Sequence, residues 1–580
     1  MPISDSVSEV SLDSASSRSE HMARPIHRDS EDLEQASKTE DDSSGASAGR
    51  QKVPVGERRG LLAQITFIAE IEDARNYGRM TKYVLLFIVV LACFSGPMGT
   101  SILYPASQDV ADSLDTTESV VNISVGTYIL SLGIFPLWWS NFSEKHGRRS
   151  VYIISFTWFL AFCIGSALSP SIGVLIALRF LSGAGASSVQ ACGAATVADL
   201  YIQEERGFAL GLFYLGNLLS IFLAPVIGGA VSEAWGWRAT MWVMVITCGV
   251  ILVLVVFLLP ETLRKEDSMT LVMQRLQQQL EDEKDEKDET QIGSVLSRER
   301  SVHSMTGAEG SIPPERYLTN NSGRSAKLKE IAEKVSLAEA RANWSTQLYD
   351  YLIRPLHSLV LLGYPPALLS ITYSSILFCG MYFFNASLTY GYSRDPYNYS
   401  SVVVGLTYIP MSVTYVIASI FGGKWHDKRL KRHARLHNGE LVAEARISWN
   451  CVIGVIGYPI SCLIFGWCIH YGEHWVTPLV GTALFGFSYM LLVGVTFTYV
   501  VDVLPGKGAT GVALNNLVRQ VLAAVATFVT VPLTDALGSG VLFSIIAGVI
   551  SVCGLMLLYL KLYGQKLRHS CDITTYYKLL

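Results

Sequence analysis

The chain contains twelve apolar runs, each about 20 residues long, separated by polar segments. An α-helix rises 1.5 Å per residue, so a run of about this length crosses the roughly 30 Å hydrocarbon core of a bilayer. Only 16% of the 580 residues are charged, whereas soluble domains carry about 25%. These features predict an all-α membrane protein with twelve transmembrane helices.

The predicted spans fall into two groups of six. They cover residues 82–104, 119–140, 151–169, 172–197, 207–231, 239–260, 364–389, 401–423, 447–470, 477–500, 511–533 and 539–562. The domain prediction is a disordered tail over 1–78, a six-helix bundle over 79–262, a charged linker over 263–355, a second six-helix bundle over 356–565, and a tail over 566–580.

The short loops predict the orientation. Twelve Lys and Arg residues lie in the loops on one side, and only Arg238 and Arg394 lie on the other. Cytoplasmic loops carry the excess of Lys and Arg, so both termini and the linker are predicted to be cytoplasmic. Asn398 is then the acceptor of a glycosylation sequon in an outer loop. The plasma membrane is the predicted location, with a prospore or vacuolar membrane as the alternative.

A charged cytoplasmic link follows the second span of each half. The first reads SEKHGRRSVY over 143–152, and the second reads GGKWHDKRLKR over 422–432. Secondary transporters are built from such internal repeats, with two bundles rocking about a central site. We interpret the links as gate elements; the alternative is ordinary positive charge on the cytoplasmic side. The gate residues are Glu144, Gly147, Arg148, Arg149, Gly423 and Asp427.

Arg179 lies inside the fourth predicted span. A charge there costs about 2.5–3.5 kcal/mol on insertion scales, so its side chain should face the bundle interior or a cavity. The alternative is an arginine that snorkels towards a helix end. A transporter driven by protons would also need a titratable partner, and Asp109, at the outer end of the first span, is the candidate for that role. Asp109, Asp199 and Asp502 each have the alternative of a solvated charge at a helix end.

Small residues surround Pro225 in the fifth span. Pro225 removes a helical hydrogen bond and is predicted to kink the span. Its small neighbours allow another helix to approach closely, and such a packed seam would seal the bundle to ions. Ordinary helix packing explains the same residues. The seam consists of Ser220, Ala224, Pro225, Gly228 and Gly229.

Aromatic and polar positions in several spans are candidates for lining a substrate cavity. Many aromatic groups and few fixed charges suit a lipophilic, cationic or aromatic solute. For each tyrosine the alternative is an anchor at the membrane interface, and for the polar cluster of the eleventh span it is a tie between helices. The candidates are Tyr104, Tyr128, Tyr382, Asn385, Tyr408 and Tyr489, together with Asn515, Asn516 and Arg519 of that cluster.

These motifs resemble the major facilitator superfamily and, within it, the fungal drug:proton antiporters with twelve spans. The family's link Gly-x-x-x-Asp-x-x-Gly-Arg-Arg/Lys corresponds to residues 140–149, with Ser140 and Glu144 in place of Gly and Asp. RFLSGAGAS, beginning at Arg179, LAPVIGG of the fifth span and LPETLR at the end of the sixth are similar to further family motifs. The resemblance covers about residues 80–565.

The resemblance implies two six-helix pseudo-repeat bundles, the major facilitator fold. It also implies a proton-coupled antiporter that exports drugs, polyamines, weak acids or dityrosine-like compounds, with Arg179 in the proton relay. Two segments, WWSNFSEKHGRRSVYIISF and TYVVDVLPGKGATGVALNNLVRQVLAAVA, are similar in sequence to the branch of this family that contains quinidine-resistance and dityrosine-exporting proteins.

The expected partners are a small organic substrate, protons and the lipid bilayer, with a monomeric chain, no nucleic acid, and no cofactor or metal beyond the proton gradient. The alternative function is a non-transporting membrane receptor or nutrient sensor on the same fold. No nucleophile motif, metal-ligand cluster or phosphate loop is recognisable in the sequence, so no enzyme activity is expected.

Overall fold

The computed structural model describes residues 52–263, 349, 353–436, 444, 447, 449–504, 508–571, 573 and 576. The chain divides after Gln51 into two units, and the described residues all belong to the second, Lys52–Leu580. The predictions for residues 1–51, for most of the linker and for the end of the C-terminal tail lie outside the described residues.

The described elements are helices, with one isolated bridge between Lys52 and Ile71. The spans are Arg79–Ser101 (span 1), Glu118–Ile134 with Pro136–His146 (span 2), Arg148–Ala167 (span 3), Ile172–Ala186 with Ser188–Leu200 (span 4), Gln203–Trp235 (span 5), Trp237–Leu258 (span 6), Pro365–Tyr392 (span 7), Ser401–Leu406 with Ile409–Leu436 (span 8), Trp449–Tyr471 (span 9), Val476–Val503 (span 10), Gly508–Leu537 (span 11) and Ser539–Ser570 (span 12). A short helix covers Ser107–Ser113, and 3-10 helices cover Val55–Glu57, Ala63–Ile65, Ala74–Asn76 and Arg354–Gly363.

Eleven helices of the described chain are long and apolar enough to cross a membrane, and the bent pair of span 2 makes twelve. The predicted twelve-span fold is therefore confirmed. The two pieces of span 2 meet at 41°. The bend lies at Pro136, which has no backbone N–H to donate to the preceding turn.

The same pairs of spans pack together in both halves. In the first half, span 1 packs on span 5, span 2 on span 4, and span 3 on span 6; in the second half, span 7 packs on span 11, span 8 on span 10, and span 9 on span 12. Across the halves, span 2 packs on span 11 and span 5 on span 8. Each pair has its counterpart six spans further on, as two pseudo-repeat bundles require.

The residues just before span 1 are folded, although the sequence pattern predicts a disordered tail up to residue 78. We call Lys52–Tyr77 the strap and the face that carries residues 143–152 the inner face. Arg59 pairs with Glu70 at 2.7 Å, and the Tyr77 hydroxyl donates to the Ala69 carbonyl at 2.8 Å. Ala74 is buried in the main core. Isolated contacts of this kind leave no hydrophobic period in the sequence, so the pattern does not predict them.

Candidate functional site

Arg179 is buried inside the first half, with only 2% of its surface exposed. Its Nη2 donates to the Gly99 carbonyl at 2.7 Å, and the guanidinium lies 4.7 Å from the centre of the Tyr128 ring. Gly99 belongs to the last turn of span 1, where carbonyls lack helical partners. The charge is therefore stabilised by a helix C-terminus and an aromatic face, and no ion pair to Arg179 is found among the described residues.

This geometry excludes the snorkelling alternative for Arg179. Tyr128 strengthens the arrangement because its hydroxyl donates to the Gly96 carbonyl at 2.9 Å. A Cβ atom at Gly99 would lie 2.3 Å from that hydroxyl. The close approach of span 1 to span 2 therefore requires a glycine at this position.

The candidate cavity tyrosines lie in the protein interior. Each has at most 5% of its surface exposed: Tyr104, Tyr128, Tyr382, Tyr408 and Tyr489. The hydroxyl of Tyr408 donates to the Asn385 carbonyl at 2.7 Å, and the Tyr489 ring stacks on Tyr415 with 5.6 Å between centroids. These positions do not match interface anchors, whose polar ends face the headgroups.

The two halves meet at these tyrosines. Tyr104, from the first half, lies within electrostatic reach of Arg179 and of Tyr382 and Tyr408 from the second half. Tyr489 and Tyr382 in turn interact with Arg519 of span 11. We call Tyr104, Tyr128, Arg179, Tyr382, Tyr408, Tyr489 and Arg519 the central cluster. It lies between the two bundles, where transporter substrate sites are formed.

Arg519 is held in a similar way to Arg179. Its guanidinium lies 4.2 Å from the Phe378 ring centre and 5.0 Å from that of Phe497, and its Nη2 donates to Asn516 Oδ1 at 2.9 Å. Each half therefore contributes one arginine whose charge is stabilised by an aromatic face.

Several buried polar atoms around the cluster have no hydrogen-bond partner in the described part of the chain. Buried polar groups are normally paired, so these atoms are available to a polar solute. They are Arg179 Nε, Asn385 Oδ1, Asn515 Oδ1 and Nδ2, Arg519 Nε and Gln520 Oε1. Among the described residues, no group of three or more His, Cys, Asp or Glu side chains has metal-site geometry.

Asp109 lies at the outer end of the first half, away from the contacts of Arg179. Its Oδ2 accepts hydrogen bonds from Ser232 Oγ at 2.7 Å and from Ser401 Oγ at 3.2 Å. Nearby, Glu233 accepts from the Val402 backbone N–H at 3.1 Å. The structure thus places the candidate proton carrier in the outer contact between halves, beside an outer pocket of about 1100 Å³.

A second outer contact was not predicted from the sequence. Arg394, just after span 7, donates to Glu118 at the start of span 2 across 3.4 Å. On its own half, Arg394 lies 3.9 Å from Asp535 and stacks on the Tyr390 ring at 4.0 Å. We call the Glu118–Arg394 pair the outer latch, because it joins the two halves.

The predicted seam lies in the same outer region. A Cβ atom at Gly229 would lie 2.2 Å from the Ser401 carbonyl, and one at Gly228 would lie 2.1 Å from the Ile102 carbonyl. Span 5 therefore touches the start of span 8 and the end of span 1 with backbone atoms. Ser220 and Ala224 are fully buried, and the helix continues through Pro225.

The first charged link forms bonds within its own half. The Glu261 carboxylate accepts from the backbone N–H groups of Arg148 at 2.9 Å and Arg149 at 3.2 Å, and so caps span 3. Gly147, with φ of +89°, permits this approach, since a Cβ there would lie 2.3 Å from Glu261 Oε2. Burial raises the pKa of the Glu261 carboxyl, while the N–H donors and Arg59 oppose that shift.

The side chain of Arg149 joins the strap, span 3 and the end of span 6 through hydrogen bonds. It is fully buried, and its guanidinium donates to carbonyls of the strap and of the end of span 6. Arg148 pairs with Asp199 at 3.2 Å, so Asp199 is not a solvated end charge. The acceptors of Arg149 are Leu61, Leu62, Val255, Val256 and Leu259.

The hydrogen bonds of Arg148 and Arg149 therefore stabilise the first half. The predicted gate would pair across the halves when the inner side is shut, whereas here the halves are joined at the outer side, so the gate role of this link stays a prediction. Glu144 is exposed and has no hydrogen bond or ion pair among the described residues. Gly423 and Asp427 lie in span 8 where the structure describes only the backbone, so their role stays a prediction. Asn398 is exposed in the loop between spans 7 and 8.

The functional contacts that the sequence pattern missed involve Glu118, Glu261, Arg394 and Asp535. Glu261 belongs to the LPETLR motif. The position of this motif at the end of span 6 was the one sequence feature that could have indicated a contact of Glu261. Glu118 and Arg394 are 276 positions apart, and no local pattern relates them.

Comparison with known proteins gives a consistent result. The Major Facilitator Superfamily model matches residues 89–527. The MFS antiporter QDR3 of Candida albicans is 49% identical, over 93% of this chain and 86% of the relative. Quinidine resistance protein 3 of Saccharomyces cerevisiae is 41% identical, over 90% of this chain and 88% of the relative.

A solved structure of a D-xylose-proton symporter has a TM-score of 0.56 at 12% identity, covering 82% of this chain and 97% of that protein. That likeness concerns the fold alone. The relatives are named as an antiporter and a resistance protein, which does not favour the receptor alternative. The chain is thus a multi-pass membrane transporter that belongs to the major facilitator superfamily and, within it, to the fungal drug:proton antiporters.

Proposed function

We propose that this protein is a proton-coupled antiporter that exports small organic molecules by alternating access. The observation that carries the proposal is the central cluster, in which buried tyrosines from both halves surround two arginines. Its stacking surfaces and unpaired polar atoms suit aromatic solutes that also carry hydrogen-bonding groups. Quinidine, named in one relative, has this chemistry and serves as the probe.

Arg179 acts as a fixed positive charge in this proposal. A guanidinium stays protonated in proteins, so it cannot itself carry the transported proton. Its role is to interact with the solute or with a titrating group when the halves rearrange. The Gly99 carbonyl and the Tyr128 ring hold it in place meanwhile.

Asp109 is the proposed proton carrier. Its carboxylate accepts hydroxyl hydrogen bonds from Ser232 and Ser401, which belong to different halves. Protonation would remove the negative charge that strengthens these bonds. A proton taken up from the outer side would therefore weaken the outer contact, and coupling requires that Asp109 release this proton towards the inner side before the contact forms again.

The proposal includes an orientation and a location. Both termini lie in the cytoplasm, the outer latch faces the exterior, and the chain works as a monomer. It resides in the plasma membrane, with a prospore or vacuolar membrane as the alternative. Imaging of a C-terminal fluorescent fusion tests the location, and antibody access to terminal tags in intact and permeabilised cells tests the orientation.

Transport by the full-length protein in proteoliposomes tests the function. Quinidine is a weak base that also enters acidic vesicles passively, so uptake is measured as the excess over protein-free liposomes. This excess should appear with an acidic lumen and should be absent without a pH gradient. Arg179→Ala should abolish this accumulation, while Arg79→Ala, an exposed arginine at the start of span 1, should preserve it. Gradient-independent uptake, or equal transport by Arg179→Ala and the wild type, would refute the proposed coupling.

A further inference from the structure

The strap is fixed to the inner ends of spans 3 and 6 by several hydrogen bonds. The Leu61 backbone N–H donates to Ser150 Oγ at 3.1 Å, and Arg59 Nη2 donates to the Leu263 carbonyl at 2.8 Å. The Phe67 backbone N–H donates to the Phe257 carbonyl at 2.8 Å. The position of the strap relative to the membrane therefore follows from the position of span 6.

One face of the strap is apolar and uncovered. Leu61, Leu62, Ile65 and Phe67 have 46%, 52%, 45% and 78% of their surfaces exposed. Ala63, between them, is buried against the protein. Four large apolar side chains within seven positions form a contiguous patch, and such patches mark interaction sites.

This patch continues the lipid-facing surface of span 6. Ile246, Val250, Val253 and Phe257 are exposed by 64%, 49%, 55% and 38%, and their spacing places them on one face of the helix. The Phe67 ring stacks on Phe257, the last member of this stripe, with 5.5 Å between centroids. The apolar surface of the strap thus begins where the lipid-facing stripe ends.

We propose that Leu61, Leu62, Ile65 and Phe67 insert into the lipid leaflet of the inner face. Span 6 has 22 residues, about 33 Å of helix, slightly more than the roughly 30 Å hydrocarbon core. Phe257, in its last turn, therefore lies at the edge of the core. Interfacial segments bury apolar side chains about 5–10 Å into this headgroup and acyl boundary, which is the depth that the strap occupies.

Depth-dependent fluorescence quenching tests the insertion. Full-length protein in nanodiscs, with the partly exposed Cys379, Cys468, Cys553 and Cys571 replaced by serine, would carry one NBD-labelled cysteine in place of Phe67. Glu72, an exposed polar residue of the same strap, provides the control position. The label at 67 should be quenched at least about threefold more strongly than the label at 72 by lipids with a doxyl group near the headgroup.

Aqueous iodide gives the complementary result, since it should quench the label at 72 and spare the label at 67. Equal iodide quenching at both positions would overturn the proposal. Protection of the label at 67 from iodide without quenching by doxyl lipids would also overturn it, because a protein segment would then cover the patch. Labelling at Leu62 repeats the measurement at a second site, in case the cysteine at 67 disturbs the ring stacking.

Discussion

The outer latch offers a quantitative test of how the two halves are held together. Glu118 is 7% exposed and lies 3.4 Å from Arg394, whose side chain is 48% exposed. Glu118→Gln removes the negative charge and keeps the shape of the side chain. In this variant Arg394 keeps its ion pair with Asp535. Asp535 belongs to the same half as Arg394, so this pair cannot hold the two halves together.

The magnitude follows from distance and exposure. Two unit charges 3.4 Å apart attract by about 5 kcal/mol at an effective dielectric constant of about 20. Water around the half-exposed Arg394 screens the pair, and measured exposed pairs contribute about 0.2–1 kcal/mol. We therefore expect a loss of about 1 kcal/mol, which changes the ratio of outward-closed to outward-open molecules roughly fivefold.

Electron–electron resonance distances measure this ratio directly. Nitroxide labels at Ser171→Cys and Glu473→Cys, exposed positions on the outer ends of the two halves, report their separation. Glu118→Gln should raise the ratio of the long-distance to the short-distance population about fivefold, and the difference from wild type should shrink in 1 M salt. Asp535→Asn is the matched control, because it removes the ion-pair partner that Arg394 has within its own half and leaves the Glu118–Arg394 pair in place. An unchanged distribution in Glu118→Gln, or an equal shift in Asp535→Asn, would refute the reasoning.

Three further variants test other parts of the structure. Arg149→Met removes a charged donor from five carbonyls, two of them in fully buried hydrogen bonds, and should destabilise the protein by at least about 3 kcal/mol; a thermal unfolding midpoint equal to that of Arg79→Met would contradict this. Tyr128→Leu should slow transport about tenfold by removing a desolvated cation–π contact of about 1–2 kcal/mol, whereas Tyr128→Phe should stay within about threefold of wild type; equal rates would show that the ring has no role. Gly229→Val should prevent outer closure, because a Cβ would lie 2.2 Å from a carbonyl oxygen, so resonance distances at the outer ends should lengthen and transport should fall more than tenfold; an unchanged distribution would contradict the packed seam.

The spans and the buried Arg179 could be predicted because each depends on the transfer free energy of a short stretch of sequence between water and the membrane. A run of apolar residues of membrane length has one favourable location, and a charge such as that of Arg179 is tolerated in a span only where protein surrounds it. The interior position of the tyrosines could be established only from the folded structure, because the sequence is equally compatible with an anchor at the membrane interface for each of them.

The remaining contacts depend on pairs that are distant in sequence. Glu118 and Arg394 are each ordinary charges at helix ends, and only the packing of the halves brings them together. The sequence of the first charged link did not indicate that the Glu261 carboxylate accepts hydrogen bonds from the backbone N–H groups of Arg148 and Arg149. A carboxylate directly after a span is typical of a solvated end, so the pattern did not predict this cap.

The hydrogen bonds that Arg149 donates to the strap and to the end of span 6 have a consequence for biosynthesis. The strap acceptors of Arg149 precede it by 88 and 87 positions, and its span 6 acceptors follow it by as many as 110 positions. While span 6 is still in the ribosome, the guanidinium lacks most of its acceptors and cannot be buried at low cost. We therefore expect the strap, span 3 and span 6 to pack together in one late step, as residues 255–261 emerge from the ribosome. Nascent chains arrested before residue 255 should show a protease-sensitive strap, and chains arrested well after residue 263 should show a protected one.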